Sequence, residues 1–355
     1  MTTLGADSKP APGADRGAGD ALLVVENLVK HYRSDRGHVV RAVDDVSFSI
    51  RRGETFGLVG ESGSGKSTVA RTILRLHEPT SGRVMFDGVD LHSLGASALR
   101  RQRRSMQIVF QDPFAAVNRR KTLSEIIAGP MIFQGETDGD KVRARVSRLF
   151  DIVGLPQAYA HRHPHEISGG QCQRVGIARA LALEPSFVIL DEAVSSLDVS
   201  VRSQILNLLK QLQRDLGLTY MFVSHDLAIV RYMSNSVAVM YGGRIVEDGP
   251  RAELFERPQH PYTHALMGAI PVPDPDRERA RTRVLTVDTS GHVVNFVGCR
   301  YQPRCPIGRL REVCQTIDPP LARVAERHAV ACHFPQSAES IVAAAGEVVQ
   351  QRPSA

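Results

Sequence analysis

The residues best suited to chemistry stand in one short run, Gly60-Glu61-Ser62-Gly63-Ser64-Gly65-Lys66-Ser67. The run has the spacing G-x-x-x-x-G-K-[ST], and it lies between an apolar stretch, Thr55–Gly60, and a stretch of helical composition, Lys66–Leu76. Glycines at these places let the backbone curl so that its N–H groups converge on phosphate oxygens, aided by the positive end of the following helix. Lys66 adds a point charge for β- and γ-phosphates, the Ser67 hydroxyl is a ligand for Mg²⁺, and Thr68 can bond a neighbouring phosphate oxygen. The chemistry is that of a nucleoside triphosphate.

A second cluster completes it. The apolar run Phe187–Leu190 ends in Asp191 and Glu192. Alone, such a pair is an ordinary helix-capping turn. Beside a phosphate-binding loop, Asp191 suits holding Mg²⁺ through water, and Glu192 suits accepting a proton from an attacking water.

These groups need elements to carry them. Leu22–Val25, Val46–Ile50, Thr55–Gly60, Met106–Phe110, Phe187–Leu190 and Thr219–His225 read as strands, and Phe187–Leu190 contains no polar residue, as a central strand of a buried parallel sheet should. Val201, Ile205, Leu208, Leu209, Leu212 and Leu216 recur at helical spacing. Residues 122–182 read as mostly helical, interrupted at Ser168–Gly170, and Val237–Gly249 reads as a hairpin turning at Gly242-Gly243. Strands alternating with helices predict a parallel α/β core, with antiparallel hairpins early and late.

The composition fits that frame. Among 355 residues, 42% are apolar and 23% charged, which excludes fibrous and wholly disordered classes. Lys and Arg exceed Asp and Glu by 44 to 38, a net +6 compatible with nucleotides or an anionic membrane surface but too mild to indicate nucleic acid. With 5% aromatics and no Trp, platforms for stacking single strands are scarce. No run approaches the roughly 20 apolar residues of a membrane span, and the N-terminus lacks a signal-peptide core, so a cytoplasmic protein is expected.

The stretch Ile167–Leu181, ISGGQCQRVGIARAL, narrows the class, because it resembles the signature of ATP-binding cassette (ABC) ATPases. Physically, Ser168-Gly169-Gly170-Gln171 opening a helix forms another anion site. The resemblance implies a head-to-tail dimer in which each signature completes the partner's phosphate loop. It further implies that Gln111 is the Q-loop residue sensing Mg²⁺ and water, and that Ser195–Asp198 is the D-loop, Asp198 included. His225 becomes the switch histidine facing the γ-phosphate, and Tyr32 the aromatic that stacks on adenine. The Mg²⁺ set is then Ser67, Gln111 and Asp191. Two departures stand out: Ala193 where the family usually has Pro, and Cys172 where it has Gln or Arg. Neither removes a phosphate or metal contact.

The text Gln107–Ile127, QIVFQDPFAAVNRRKTLSEII, is similar to the ATPases of dipeptide/oligopeptide and nickel importers, with Arg119 replacing the usual Pro. His260-Pro261-Tyr262-Thr263 is a further subfamily mark, and RRSMQIVFQDP resembles the second of the two paired ATPases. The resemblance implies an ATPase subunit on the cytoplasmic face of the membrane. Its partners would be a second ATPase (paralogue or second copy), two polytopic permease subunits and an external solute-binding protein, with no nucleic acid. Residues 112–130 would receive a helix of the permease. The alternative is a non-transport ABC ATPase, associated with carbon–phosphorus lyase or with DNA.

The expected fold is α/β, a P-loop NTPase of the ABC type. It would comprise a RecA-like parallel core, an antiparallel β subdomain, a helical signature subdomain and a small cysteine-bearing extension. The expected boundaries are a disordered tail at 1–20, the ATPase domain at 21–255 with its helical part about 113–180, the extension at 256–336 and a tail at 337–355. Cys299, Cys305, Cys314 and Cys332 fall in that extension. No two of them have the tight spacing usual at zinc sites. Related importer ATPases carry similar text with a [4Fe–4S] cluster, so the resemblance implies a cluster on these four, with zinc or four plain thiols as alternatives. The stretch His161–His165 reads as a loop rather than a metal site.

Overall fold

The computed structural model describes residues 20–33, 38–268 and 297–335. The expected tail at 337–355 and nearly all of the tail at 1–20 lie outside these. Twelve strands are described: β1 Ala21–Arg33, β2 Val39–Arg51, β3 Thr55–Val59, β4 Ser81–Phe86, β5 Val89–Asp90, β6 Met106–Val109, β7 Phe187–Asp191, β8 Thr219–Ser224, β9 Ser236–Tyr241, β10 Arg244–Pro250, β11 Ala322–Ala325 and β12 His328–Val330. The helices are α1 Lys66–Ile73, α2 Ala96–Gln102, α3 Leu123–Phe133, α4 Gly139–Ile152, α5 Gly169–Leu181, α6 Val199–Leu216, α7 Leu227–Met233, α8 Arg251–Glu256, α9 Pro261–Gly268 and α10 Glu312–Thr316.

Two sheets form. The smaller is antiparallel, with order β2-β1-β4-β5. The larger runs β11-β12-β10-β9-β3-β8-β7-β6; its stretch from β9 to β6 is parallel and its other pairs are antiparallel. This is the expected α/β architecture.

Both faces of the parallel stretch are buried, which explains its uninterrupted apolar strands. On β7, Phe187 and Ile189 pack toward the antiparallel sheet and α1, whereas Val188 and Leu190 face α3, α4, α5 and α6. On β8, Met221 and Val223 take the first side, and Tyr220 and Phe222 the second. The period of two is that of a strand.

Three readings need correcting. Gly169 and Gly170 lie inside α5, capped by Ser168, and the breaks in the helical region fall instead at 134–138 and 153–168. Helix α1 stops at Ile73, short of Leu76; Arg75 adopts a positive φ of 51°, and the N–H groups of Leu76 and His77 fold back to the Arg71 carbonyl. On α6 the buried positions are Ile205, Leu206, Leu209 and Leu212, while Leu216 is 45% exposed. His161–His165 is irregular chain leading into a single 3-10 turn, Pro164–Glu166, as expected of a loop.

The hairpin of β11 and β12 extends the core sheet, with Glu247 opposite Val330 and Asp248 opposite Ala329. Buried Glu247 fastens the junction by accepting from the N–H groups of Gln259 and His260 and pairing with His328 at 2.7 Å. No helix among the described residues is long and apolar enough to cross a membrane.

Candidate functional site

The parallel order β3-β8-β7-β6 sets the C-terminal ends of four strands side by side. Gly60 follows β3, His225 follows β8, Asp191 and Glu192 close β7, and Gln111 lies just past β6. Residues remote in sequence therefore meet at one edge, the edge where α/β sheets bind ligands.

The phosphate loop joins β3 to α1. Gly63 and Gly65 have φ of 79° and 105°, and a Cβ on Gly65 would lie 2.1 Å from the Ala42 carbonyl oxygen, so only glycine fits there. Lys66 is buried, and its Nζ donates to the carbonyls of Gly60 and Glu61, both at 2.8 Å, and to Ser64 Oγ at 3.3 Å. Burial lowers the affinity of this ammonium for its proton, against the opposing pull of Glu192, Asp191 and Glu61. A buried cation on the floor of a curled loop suits a phosphate, whose charge would offset the cost of that burial.

Ser67 Oγ donates to Asp191 Oδ1 at 2.7 Å. Burial raises the Asp191 pKa, while the Ser67 hydroxyl and the Arg71 guanidinium 4.0 Å away work against it. A hydroxyl and a carboxylate in contact, the latter poorly compensated, are a donor set of the hard-oxygen kind that Mg²⁺ takes. The residues fit the ion.

Glu192 has a φ of 50°, a left-handed conformation that costs a residue with a side chain about 1–2 kcal/mol. Its N–H bonds the Val223 carbonyl at 2.9 Å, and its carbonyl accepts from Ser195 N and Oγ. The twist aims the carboxylate at the strand ends, where Gln111 Nε2 donates to Oε2 at 2.8 Å and His225 Nδ1 lies 3.3 Å from Oε1. Three sequence-predicted residues thus form one unit.

The signature gathers elsewhere. Ser168 and Gln171 cap α5 reciprocally, and a Cβ on Gly170 would lie 2.3 Å from Val201 Cγ1. Gly169 faces Leu197 and Phe114. Signature and D-loop are therefore packed on each other, with Ser168 and Asp198 exposed and Val199 75% exposed. Tyr32 is half-buried, edge-on to His77 at 5.9 Å, with Lys30 Nζ 4.9 Å from its ring centre.

The expectation for the late cysteines is overturned. Cys299, Cys305, Cys314 and Cys332 line a common packed space with Tyr301 and Phe334. Among the described residues, however, no group of three or more His, Cys, Asp or Glu is disposed to hold a metal ion. Burial also pushes Cys299 and Cys332 up to about 12, and Cys305 and Cys314 in the same direction. Neither an iron–sulfur cluster nor zinc is supported; the four are free, small, largely apolar side chains in the extension's core.

Sequence reasoning missed two residues at the loop. The Tyr262 hydroxyl accepts from Glu61 N at 2.8 Å, and Arg304 pairs with the Glu61 carboxylate at 2.8 Å. Tyr262 lies within the subfamily mark at 260–263, a signal that pointed to the chain's kinship but not to this contact.

Strand ends, phosphate loop, acidic pair, glutamine and histidine define a P-loop ATPase of the cassette type. Comparison with known proteins narrows it further. Residues 43–195 match the ABC transporter family and residues 246–314 match the oligopeptide/dipeptide transporter C-terminal region. A putative peptide import ATP-binding protein of Brucella ovis is 48% identical over 311 residues, 88% of this chain and 97% of that one. The oligopeptide transport ATP-binding protein OppF of Bacillus subtilis is 50% identical over 257 residues, 72% of this chain and 84% of that one. Among solved structures, cbiO1 of Clostridium perfringens, part of the ABC transporter complex cbiONQ, superposes with a TM-score of 0.60 at 31% identity, covering 67% of this chain and 91% of that one. The cassette MJ0796, dimeric with ADP and Pi, gives 0.59 at 31% identity, over 64% and 98%. The chain belongs to the ABC transporter ATPases, in the oligopeptide/dipeptide transporter branch.

Proposed function

We propose that the chain is the ATP-hydrolysing subunit of an importer of peptides or related small solutes, peripheral at the cytoplasmic face of the membrane. The reading is carried by one observation: a phosphate loop, an acidic pair, Gln111 and His225 gathered at one sheet edge occur in the same chain as a region matching the oligopeptide/dipeptide transporter C-terminal region. That pairing favours import over a non-transport cassette.

The phosphate loop and Lys66 bind the triphosphate, and Tyr32 supplies a face for adenine. Ser67 and Asp191 would hold Mg²⁺, directly and through water, where it would neutralise phosphate charge. Glu192 accepts the proton of the attacking water, and Gln111 and His225 keep its carboxylate aimed. The exposed Ser168, Asp198 and Val199 form the face offered to a second ATPase, whose phosphate loop the signature completes. Residues 112–130 couple the site to two permease subunits, and an external binding protein delivers the solute.

Extraction of the tagged chain from native membranes in mild detergent, followed by mass spectrometry, tests this. Two polytopic proteins and a second ATPase are expected. Recovery from the soluble fraction with metabolic or DNA-processing partners would overturn transport and leave the ATPase.

A further inference from the structure

Glu61, the second residue of the phosphate loop, is held from three directions. Its carbonyl accepts from Lys66 Nζ at 2.8 Å. Its N–H donates to the Tyr262 hydroxyl at 2.8 Å, 201 positions away. Its carboxylate takes both arms of Arg304, 243 positions away, with Nη1 to Oε2 at 2.8 Å and Nη2 to Oε1 at 3.1 Å.

The grip is braced. The Arg304 guanidinium lies 5.9 Å from the ring centres of both Tyr241 and Tyr301, and Tyr262 and Tyr301 pack against Tyr241 at 4.6 and 5.3 Å. Tyr241 ends β9, whose turn holds the loop from its other side: Gly243 N donates to the Ser64 carbonyl at 3.0 Å. Arg300 braces that turn in its own right, bonding the Gly242 carbonyl and the Asp44 carboxylate. The C-terminal region therefore touches the loop at Glu61 directly and at Ser64 through Gly243.

A contact serving only to attach the extension could fall anywhere on the core. This one falls on the residue whose carbonyl orients the phosphate-binding ammonium. A forked Arg–carboxylate pair fixes direction as well as proximity, and misplacing a binding group by an ångström is costly. Lys66 has three N–H donors: two are fixed by Gly60 and Glu61, and the third makes only the longer contact with Ser64. Held so, the ammonium has one direction to offer a phosphate.

We propose that the C-terminal extension sets the aim of Lys66 through Glu61, with Arg304 and Tyr262 as positioning residues for ATP binding. The proposal rests on ATP occupying the loop, and it makes the extension a structural part of the nucleotide site.

The test uses the full chain with Arg304→Ala, Arg304→Lys, Glu61→Gln and Tyr262→Phe. Three quantities are measured: the Kd for MgATP, the hydrogen exchange of amides 60–67 without nucleotide, and the melting temperature. Arg304→Ala is expected to weaken ATP about tenfold and to speed exchange across 60–67, with exchange in β7 and α5 unchanged. Arg304→Lys, which keeps the charge but loses the fork, is expected to fall between, and it serves should the alanine variant fold poorly. Glu61→Gln and Tyr262→Phe are expected to weaken ATP ~3-fold or more. Unchanged Kd in all four variants would overturn the proposal. So would exchange rising evenly over the whole chain with a falling melting temperature, the mark of a merely structural role. Failure of the unaltered chain to bind MgATP would instead overturn the ATP reading on which it rests.

Discussion

Ser67 and Asp191, 124 positions apart, share a hydrogen bond of 2.7 Å that ties the first turn of α1 to the end of β7. The bond also defines an electrostatic deficit. Asp191 is 3% exposed, burial raises its pKa, and the hydroxyl and a guanidinium at 4.0 Å offset this only in part. Asp191→Asn keeps the shape and removes the charge. It is expected to weaken the Mg²⁺ dependence of ATP binding by ~10- to 100-fold while leaving metal-free nucleotide binding near normal. Nucleotide titrations with and without Mg²⁺ check this; equal Mg²⁺ dependence in both proteins would remove Asp191 from the site.

Glu192 illustrates how the fold spends local strain. Its φ of 50° is enforced by backbone bonds to Val223 and Ser195, and the gain is a carboxylate between Gln111 and His225. Glu192→Gln preserves hydrogen bonding but cannot take a proton. Hydrolysis is expected to fall by at least ~100-fold with ATP affinity retained, and the ATP-bound dimer should accumulate on a sizing column. Turnover at the normal rate would show that another group is the base.

How far the sequence revealed this site depends on the range of the interactions. Gly60–Ser67 and the pair Asp191-Glu192 were readable because each follows an apolar strand with phosphate or metal chemistry; Gln111 and His225 came only from the family resemblance, and parallel strands bring all of them to one edge. The start of α5 was readable as a helix opening at Ser168-Gly169-Gly170, but the fit of Gly170 under Val201 was not, since it depends on how α6 packs. The grip of Arg304 on Glu61 was not readable, since it spans 243 positions and follows from how the extension docks. The cysteines were misread for a related reason. Four thiols can share a region without converging on one point, and spacing along the chain does not fix where their sulfurs aim.

The contact of Gly170 with Val201 yields a prediction of unusual sign. Gly→Ala within an exposed helix stabilises by up to ~1 kcal/mol. At position 170 the new methyl would lie 2.3 Å from Val201 Cγ1, on a β-branched side chain with little freedom to move. Gly170→Ala is expected to destabilise by about 1–3 kcal/mol in urea unfolding, and adding Val201→Ala should recover most of the loss. Additive losses in the double variant would refute this packing of signature on α6.

The buried thiols have an expected reactivity. Burial raises Cys172 to about 11 and Cys299 and Cys332 to about 12, and it shifts Cys305 and Cys314 upward as well. At pH 7.5 the folded chain should react slowly with a thiol-directed disulfide reagent, and all five cysteines should titrate on denaturation. Rapid native labelling of one or more would contradict the packing of the extension.

His260 makes the extension's docking sensitive to acid. Its ring is 1% exposed, and Nδ1 accepts from the Tyr262 N–H at 3.0 Å, a role that only the neutral ring can fill. Burial lowers its pKa to about 4, with nearby Glu247 opposing and His264 adding to the shift. The unfolded chain binds this proton below an ordinary value near ~6.5, and the folded chain does so only near 4. Between those values the unfolded state holds more protons, so stability rises with pH and is lost as pH falls through the window. The loss attributable to His260 approaches ~3 kcal/mol by pH 4. The informative quantity is the difference between variant and unaltered chain. His260→Gln is expected to lower stability at pH 7.5 but to flatten its decline between pH 6.5 and 5 in matched urea unfolding. A decline as steep as that of the unaltered chain would mean that His260 takes up its proton while folded.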